Sequence, residues 1–111
     1  MIYKSLKWLG DSQENIRDFP DDPRREAGFQ LDRVQAGKDP ADWKPMPSVG
    51  LGVKEIRVND GGAFRVIYVA RFAEAVYVLH AFQKKANKTP KPDLELARRR
   101  FRQLIQERKQ S

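Results

Sequence analysis

Four cations stand at the ends of strand-like segments, where they could act on a phosphodiester. Arg57 falls late in "VKEIRVN", Arg65 follows the turn "DGG", and Lys84 and Lys85 end "AVYVLHAFQKK". A hairpin brings the first two together, and a neighbouring strand can bring the lysines close to them. RNA cleavage by the 2′-hydroxyl builds negative charge on the phosphate, which such cations stabilise. The alternative is an ordinary, weak surface ion pair between Arg57 and either Glu55 or Asp60.

Proton transfer in such a reaction needs an acid and a base. The single histidine, His80, is one candidate, because histidine is the residue type used most often for proton transfer. Strict alternation along its strand places it on a face with Val76, Val78 and Phe82, where a histidine is more often a satisfied core residue. A lysine whose pKa is lowered by neighbouring cations is the alternative base.

The composition excludes several classes of site. The chain has 111 residues and 40% hydrophobic content, which indicates one folded domain over residues 1–111. Without cysteine and with one histidine, neither a thiolate site nor a dedicated zinc site is expected. No phosphate loop or dinucleotide-binding glycine pattern is present, so no cofactor is predicted. No apolar run reaches membrane-spanning length and the N-terminus lacks a signal-peptide core, so we expect a cytoplasmic protein without a membrane partner.

The net charge of +7 is concentrated near the C-terminus. Residues 1–83 contain 12 basic and 12 acidic residues, whereas residues 84–111 contain 10 basic and 3 acidic residues. A basic segment of this kind indicates a polyanionic partner, although a solvated basic helix is the simpler alternative. The residues predicted to bind RNA or phosphate are Lys54, Lys88, Lys91, Arg98, Arg99 and Arg102.

These residues must be positioned by elements in the order β-α-α-β-β-β-α. The predicted elements are a strand in 1–10 with Ile2, Leu6 and Trp8 on one face, helices in 11–20 and 21–37, strands in 53–59, 63–72 and 75–85, and a helix from about Pro92 to Arg108. The intervening segment 38–52 carries three prolines and is predicted to be an ordered loop, pinned by Trp43 and Met46. The last strand is apolar on both faces, which is typical of a central strand. We predict an α+β fold with a twisted, mainly antiparallel sheet, an N-terminal helical hairpin and a C-terminal helix.

Capping residues are expected at the helix ends. In the second helix, Asp22 suits the N-cap, Pro23 the first helical position and Gly37 the C-terminal stop. Asp11 or Ser12 is expected to cap the first helix.

Several segments together resemble the HigB-like branch of the RelE/ParE toxin superfamily. The most specific are "DWKPM" before "GLGVKEIRV", "FRVIYVARF", and "HAFQKKANKTP" leading into "LARRR". The resemblance covers residues 8 to about 105. It implies a small basic toxin with two helices packed on a twisted antiparallel sheet and a final helix.

The resemblance also implies a function and partners. It implies a toxin of a type II toxin–antitoxin pair that cleaves mRNA in the ribosomal A site without a metal. The expected partner is a co-encoded antitoxin, often a helix-turn-helix protein, and operator DNA is bound only through the complex of the two. The positions that match the cations of RelE-like nucleases are Arg57, Arg65, Lys84 and Lys85.

Alternatives stay open within the same superfamily. The chain has no tyrosine after Tyr77, so acid–base work is expected to fall to Lys84, Lys85 or His80, or the reaction to depend mainly on charge stabilisation. Some members inhibit DNA gyrase without being enzymes. A third possibility is a basic module that has lost toxicity and binds nucleic acid or the antitoxin.

Overall fold

The framework of the fold is one five-stranded sheet. The structure is a computed structural model, and it describes residues 3–85 and 87–110. Ile2, expected on one face of the first strand, lies outside these residues, whereas Leu6 and Trp8 pack together on one face as predicted. The elements are β1 (Ser5–Trp8), α1 (Ser12–Arg17), α2 (Asp21–Gln35), β2 (Trp43–Pro45), β3 (Val53–Asn59), β4 (Ala63–Val69), β5 (Ala75–Lys84) and α3 (Lys91–Gln110).

The strands lie in the order β1-β5-β4-β3-β2. β1 pairs with β5 in parallel, and the other three pairings are antiparallel. β5 therefore has neighbours on both sides, as its apolar sequence predicts. The predictions of an α+β fold and a mainly antiparallel sheet are confirmed.

One strand lies where the sequence predicts only a loop. β2 pairs with β3, with Trp43 opposite Ile56 and Pro45 opposite Lys54. A proline is tolerated here because β2 is an edge strand, which leaves one side of its backbone without a partner strand. Buried Met46 follows β2 and anchors the segment, as predicted. The element order is therefore β-α-α-β-β-β-β-α, and the predicted order was one strand short.

The sheet carries a hydrophobic core on each face. On one face α1 and α2 bury Ile16, Phe19, Ala27, Leu31 and Val34 against Ile56, Val58, Phe64, Val66, Tyr68, Val76, Val78 and Ala81. On the other face α3 buries Ala97, Phe101 and Leu104 against Val53, Ile67, Val69, Tyr77, Leu79 and Phe82. The sequence predicts these buried faces, because Ala27, Leu31 and Val34 of α2, and Leu94, Ala97, Phe101, Leu104 and Ile105 of α3, recur at helical spacing. Within the described ranges, no helix combines the length and apolar composition needed to cross a bilayer.

The predicted N-terminal helical hairpin is only partly realised. α1 and α2 lie on the same face of the sheet, but α1 has six residues and contacts β5 more extensively than it contacts α2. Each helix is therefore stabilised mainly by the sheet.

A bulge in β5 changes which face its last residues occupy. Tyr68 of β4 pairs with Val78, and the preceding Ile67 pairs with His80, so Leu79 is an extra residue in β5. A bulge of this kind shifts the alternation of side chains by one position. His80 therefore lies with Ile67 on the face of the sheet that α3 covers (the α3 face). The prediction that His80 shares a face with Val76 and Val78 was wrong.

The C-terminal end of α2 follows the prediction, whereas its first residue does not. The α1 cap follows the prediction in its position but not in its hydrogen bond. Gly37 has φ +86°, and its N–H donates to Val34 while that of Lys38 donates to Arg33, which caps the last carbonyls. α2 begins two residues earlier than predicted, after Pro20. Asp11 is the N-cap residue of α1, as predicted, but its side chain forms no cap bond.

We predict opposite effects from two glycine-to-alanine changes in and after α2. Gly37→Ala should lower the free energy of unfolding by about 1–2 kcal/mol, because a Cβ disfavours the left-handed backbone. Gly28→Ala should raise it by about 0.5–1 kcal/mol, because Gly28 is exposed within the helix and an added Cβ meets nothing within 4 Å. Urea unfolding monitored by circular dichroism measures both. Equal shifts in the same direction would contradict the capping role of Gly37.

Candidate functional site

Three of the predicted cations come together on the α3 face of the sheet. Arg57 of β3 lies directly opposite Arg65 of β4. Arg65 in turn lies opposite Phe82 of β5, and Lys84 lies opposite Ala63, so the three cations occupy adjacent strands on one face. Arg57 and Lys84 are partly exposed, whereas Arg65 is buried. We call Arg57, Arg65 and Lys84 the cation cluster.

Arg65 is held in place by protein groups. Only 5% of the residue is exposed. Its Nη1 donates hydrogen bonds to Asn59 Oδ1 at 3.1 Å and to the Phe64 carbonyl at 2.9 Å. Burial lowers its pKa, but the guanidinium stays charged because the ordinary arginine pKa is so high. Arg65 is therefore a fixed, pre-oriented positive charge.

A buried carboxylate compensates the cluster. Glu55 of β3 is 0% exposed, and its Oε1 lies 3.7 Å from Arg65 Nε and 3.7 Å from Lys44 Nζ. Thr89 Oγ1 donates to Glu55 Oε2 at 3.2 Å. An isolated buried carboxylate would be very costly, so these contacts compensate for the burial of Glu55. Within residues 3–85 and 87–110, Glu55 pairs with Arg65 and Lys44, and Arg57 forms no ion pair.

Lys84 is the cation best suited to proton transfer. It makes no ion pair with any residue in the described part of the chain. Burial lowers its pKa, and the neighbouring charges of Arg65 and Lys44 lower it further. A lysine with a lowered pKa is a better proton donor when charged, and is more readily deprotonated to act as a base.

His80 is engaged in a structural contact. Its Nε2 lies 2.6 Å from Asp93 Oδ1 in the first turn of α3, and its ring stacks on Phe82 with centroids 5.4 Å apart. The ring is almost completely buried. His80 thus joins β5 to the start of α3.

The remaining predicted cations differ in their positions and exposure. Lys54 lies on the opposite face, 3.0 Å from Asp39 Oδ1 and above the Trp43 ring. Lys85 follows the end of β5, and Arg98 Nε donates to the Ser48 carbonyl at 2.7 Å. The exposed residues that keep the basic character of this end of the chain are Lys85, Lys88, Lys91, Arg99, Arg102 and Lys109.

Arg100, not among the predicted site residues, holds the β5 bulge. Its Nη1 donates to the carbonyl of the bulge residue Leu79 at 2.8 Å, and its Nη2 lies 2.6 Å from Asp11 Oδ1. The hydrogen bond from Arg100 lowers the pKa of the Asp11 carboxyl. Arg100 therefore ties α3 and the start of α1 to the point where β5 changes face.

Sequence reasoning also missed Lys44 and the pairing of Glu55 with Arg65. Lys44 carried no signal because its segment was predicted to be a loop. Glu55 did carry one, since alternation places it on the same strand face as Arg57. Among the described residues, no group of three or more His, Asp or Glu side chains is arranged to hold a metal ion.

Most of the chain matches a known protein family. A family model described as Phage derived protein Gp49-like (DUF891) matches residues 14–102. The chain belongs to the Gp49-like family. This is a RelE/HigB-like toxin family of toxin–antitoxin modules, so an antitoxin partner is implied. The matched region of this Gp49-like protein contains the whole cation cluster. A search of curated proteins found no match.

We predict that the pKa of Lys84 responds in opposite directions to its two kinds of neighbour. Lys44→Met should raise it, because a like charge is removed, and Glu55→Gln should lower it, because an opposite charge is removed. Titration of the Lys84 side chain by NMR measures both changes. Lys7→Met, on exposed β1, is the control and should leave the pKa unchanged. Shifts of the same sign in both variants would contradict the proximity of these groups.

Proposed function

We propose that this Gp49-like protein is a HigB-like toxin with a RelE-like topology, acting as a ribosome-dependent mRNA endonuclease that needs no metal. The observation that carries the proposal is the convergence of Arg57, Arg65 and Lys84 on one sheet face. Cations on adjacent strands of one sheet face suit a reaction in which negative charge develops on a phosphate. Membership in a toxin family supports the same function.

The proposed reaction is attack of an RNA 2′-hydroxyl on the adjacent phosphorus. Charge develops on the phosphate oxygens as the bond to the 5′-oxygen breaks. Arg65, already fixed by Asn59 and the Phe64 carbonyl, stabilises this charge with little reorganisation. Arg57, directly opposite and partly exposed, supplies a second positive charge.

Lys84 is the proposed proton-transfer residue. Charged, it would protonate the leaving 5′-oxygen; neutral, it would accept the proton of the 2′-hydroxyl. A rate that falls with rising pH identifies the first role, and a rate that rises identifies the second. His80 and Lys85 are less favoured, because His80 is bonded to Asp93 and Lys85 lies beyond the end of β5.

The antitoxin is proposed to be a helix-turn-helix protein that also brings the pair to operator DNA. The exposed cations of α3, Lys91, Arg99 and Arg102, are available to an acidic segment of that partner. Contacts to mRNA and the ribosome would use the cation cluster on the neighbouring sheet face.

We predict that Lys84→Met slows mRNA cleavage by about 10²–10⁴-fold through loss of proton transfer. Lys84→Arg should be similarly slow, because it keeps the charge but cannot release a proton at neutral pH. Induction in bacteria followed by primer extension shows the new mRNA ends, and purified toxin with programmed ribosomes gives the rates. Lys7→Met, remote from the cluster, should cleave normally.

Two results would reject the nuclease. Growth arrest with intact mRNA, together with inhibited supercoiling by purified gyrase, would indicate a non-enzymatic toxin. Expression without growth arrest would indicate a detoxified binding module. Thermal unfolding of each variant checks that lost activity does not come from lost folding.

A further inference from the structure

A cleft opens on the face of the sheet opposite the cation cluster. It has a volume of about 300 Å³ and lies where α2 ends beside the ends of β3 and β4. This is the lower end of the size range of small-ligand pockets. Its polar lining, which defines the Tyr68 cleft, consists of Lys4, Lys38, Asp39, Lys54, Tyr68 and Arg71.

The polar group at its base is a buried phenol. Tyr68 is 1% exposed, and its hydroxyl forms no hydrogen bond with any residue in 3–85 or 87–110. Burial raises its pKa, and the nearby charge of Asp39 raises it further, so the hydroxyl stays protonated at neutral pH. The hydroxyl faces the space of the cleft without a protein acceptor, so a group that accepts a hydrogen bond from it can bind there.

The walls of the cleft are positively charged. Lys54 and Asp39 compensate each other at 3.0 Å, which leaves Lys4, Lys38 and Arg71 as excess cations. Lys4 donates to the Ala70 carbonyl but keeps two further ammonium donors.

Arg71 and Lys38 are also free to contact a ligand. Arg71 Nε donates to the Leu51 carbonyl at 2.9 Å, and its guanidinium lies over the Phe72 ring at 4.2 Å, but its terminal amino groups have no hydrogen-bond partner within the described residues. Gly52 allows Arg71 to lie this close, since a Cβ there would approach Arg71 Cδ to 2.6 Å. Lys38 is exposed, and Gly37 beside it leaves the backbone open to approach.

We infer that the Tyr68 cleft binds a small phosphomonoester, with the Tyr68 hydroxyl donating to a phosphate oxygen and Lys4, Lys38 and Arg71 neutralising its charge. A phosphomonoester carries a charge of about −1.5 to −2 at neutral pH, which three excess cations match better than they match a carboxylate. The site is separate from the cation cluster, so it does not depend on nuclease activity.

The test is an NMR titration of the ¹⁵N-labelled protein with inorganic phosphate and with AMP at low salt. The amides of Gly37 and Gly52 should shift and saturate. Tyr68→Phe keeps the buried ring and should weaken binding roughly tenfold, because it removes one hydrogen bond to a charged ligand. Tyr77→Phe is the matched control, since the Tyr77 hydroxyl bonds Glu74 elsewhere, and should leave affinity unchanged. Unchanged affinity in Tyr68→Phe with its fold retained would overturn the proposal.

A second arm separates the source of the phosphate. Short single-stranded RNA should shift Gly37 and Gly52 only when it carries a 5′-phosphate. Equal shifts from RNA without that phosphate would overturn the assignment to a phosphomonoester. A Lys84→Met background removes one charge of the cation cluster and so weakens binding there, and persistence of the Gly37 and Gly52 shifts in it would support a separate site. Their loss would overturn it.

Discussion

The arrangement of the candidate site depends on one extra residue in β5. Leu79 interrupts the alternation of a strand that is otherwise apolar on both faces, and every side chain after it turns to the opposite face. As a result His80 reaches Asp93 of α3, and Lys84 joins Arg65. Arg100 binds the Leu79 carbonyl, so the helix packed on this face also holds the irregularity that shapes it.

A second constraint is charge balance within the α3 face. Placing Arg65 in a nearly closed environment requires a nearby anion, and Glu55 provides it while also contacting Lys44 and Thr89. Because one carboxylate faces several cations, the cluster keeps an excess of positive charge. Burial lowers the pKa of Lys84, and this excess of positive charge lowers it further.

The basic C-terminal segment has divided roles. Arg98 and Arg100 are bound to carbonyls of distant segments and act as packing residues, whereas Arg99 and Arg102 stay exposed. Net charge alone therefore does not identify a binding surface. Lys54 was also predicted to bind phosphate with the other cations, but it lines the Tyr68 cleft on the opposite face of the sheet.

The sequence by itself determined nearly all of the element order, the central place of β5, the apolar faces of α2 and α3, and the pairing of Arg57 with Arg65. These depend on periodicity and turn residues within short segments. The tertiary structure alone decided that β2 exists, that Lys44 meets Glu55, and that Lys84 shares a face with Arg65. Each of these depends on how distant segments pair, and a one-residue bulge reverses the faces that alternation predicts.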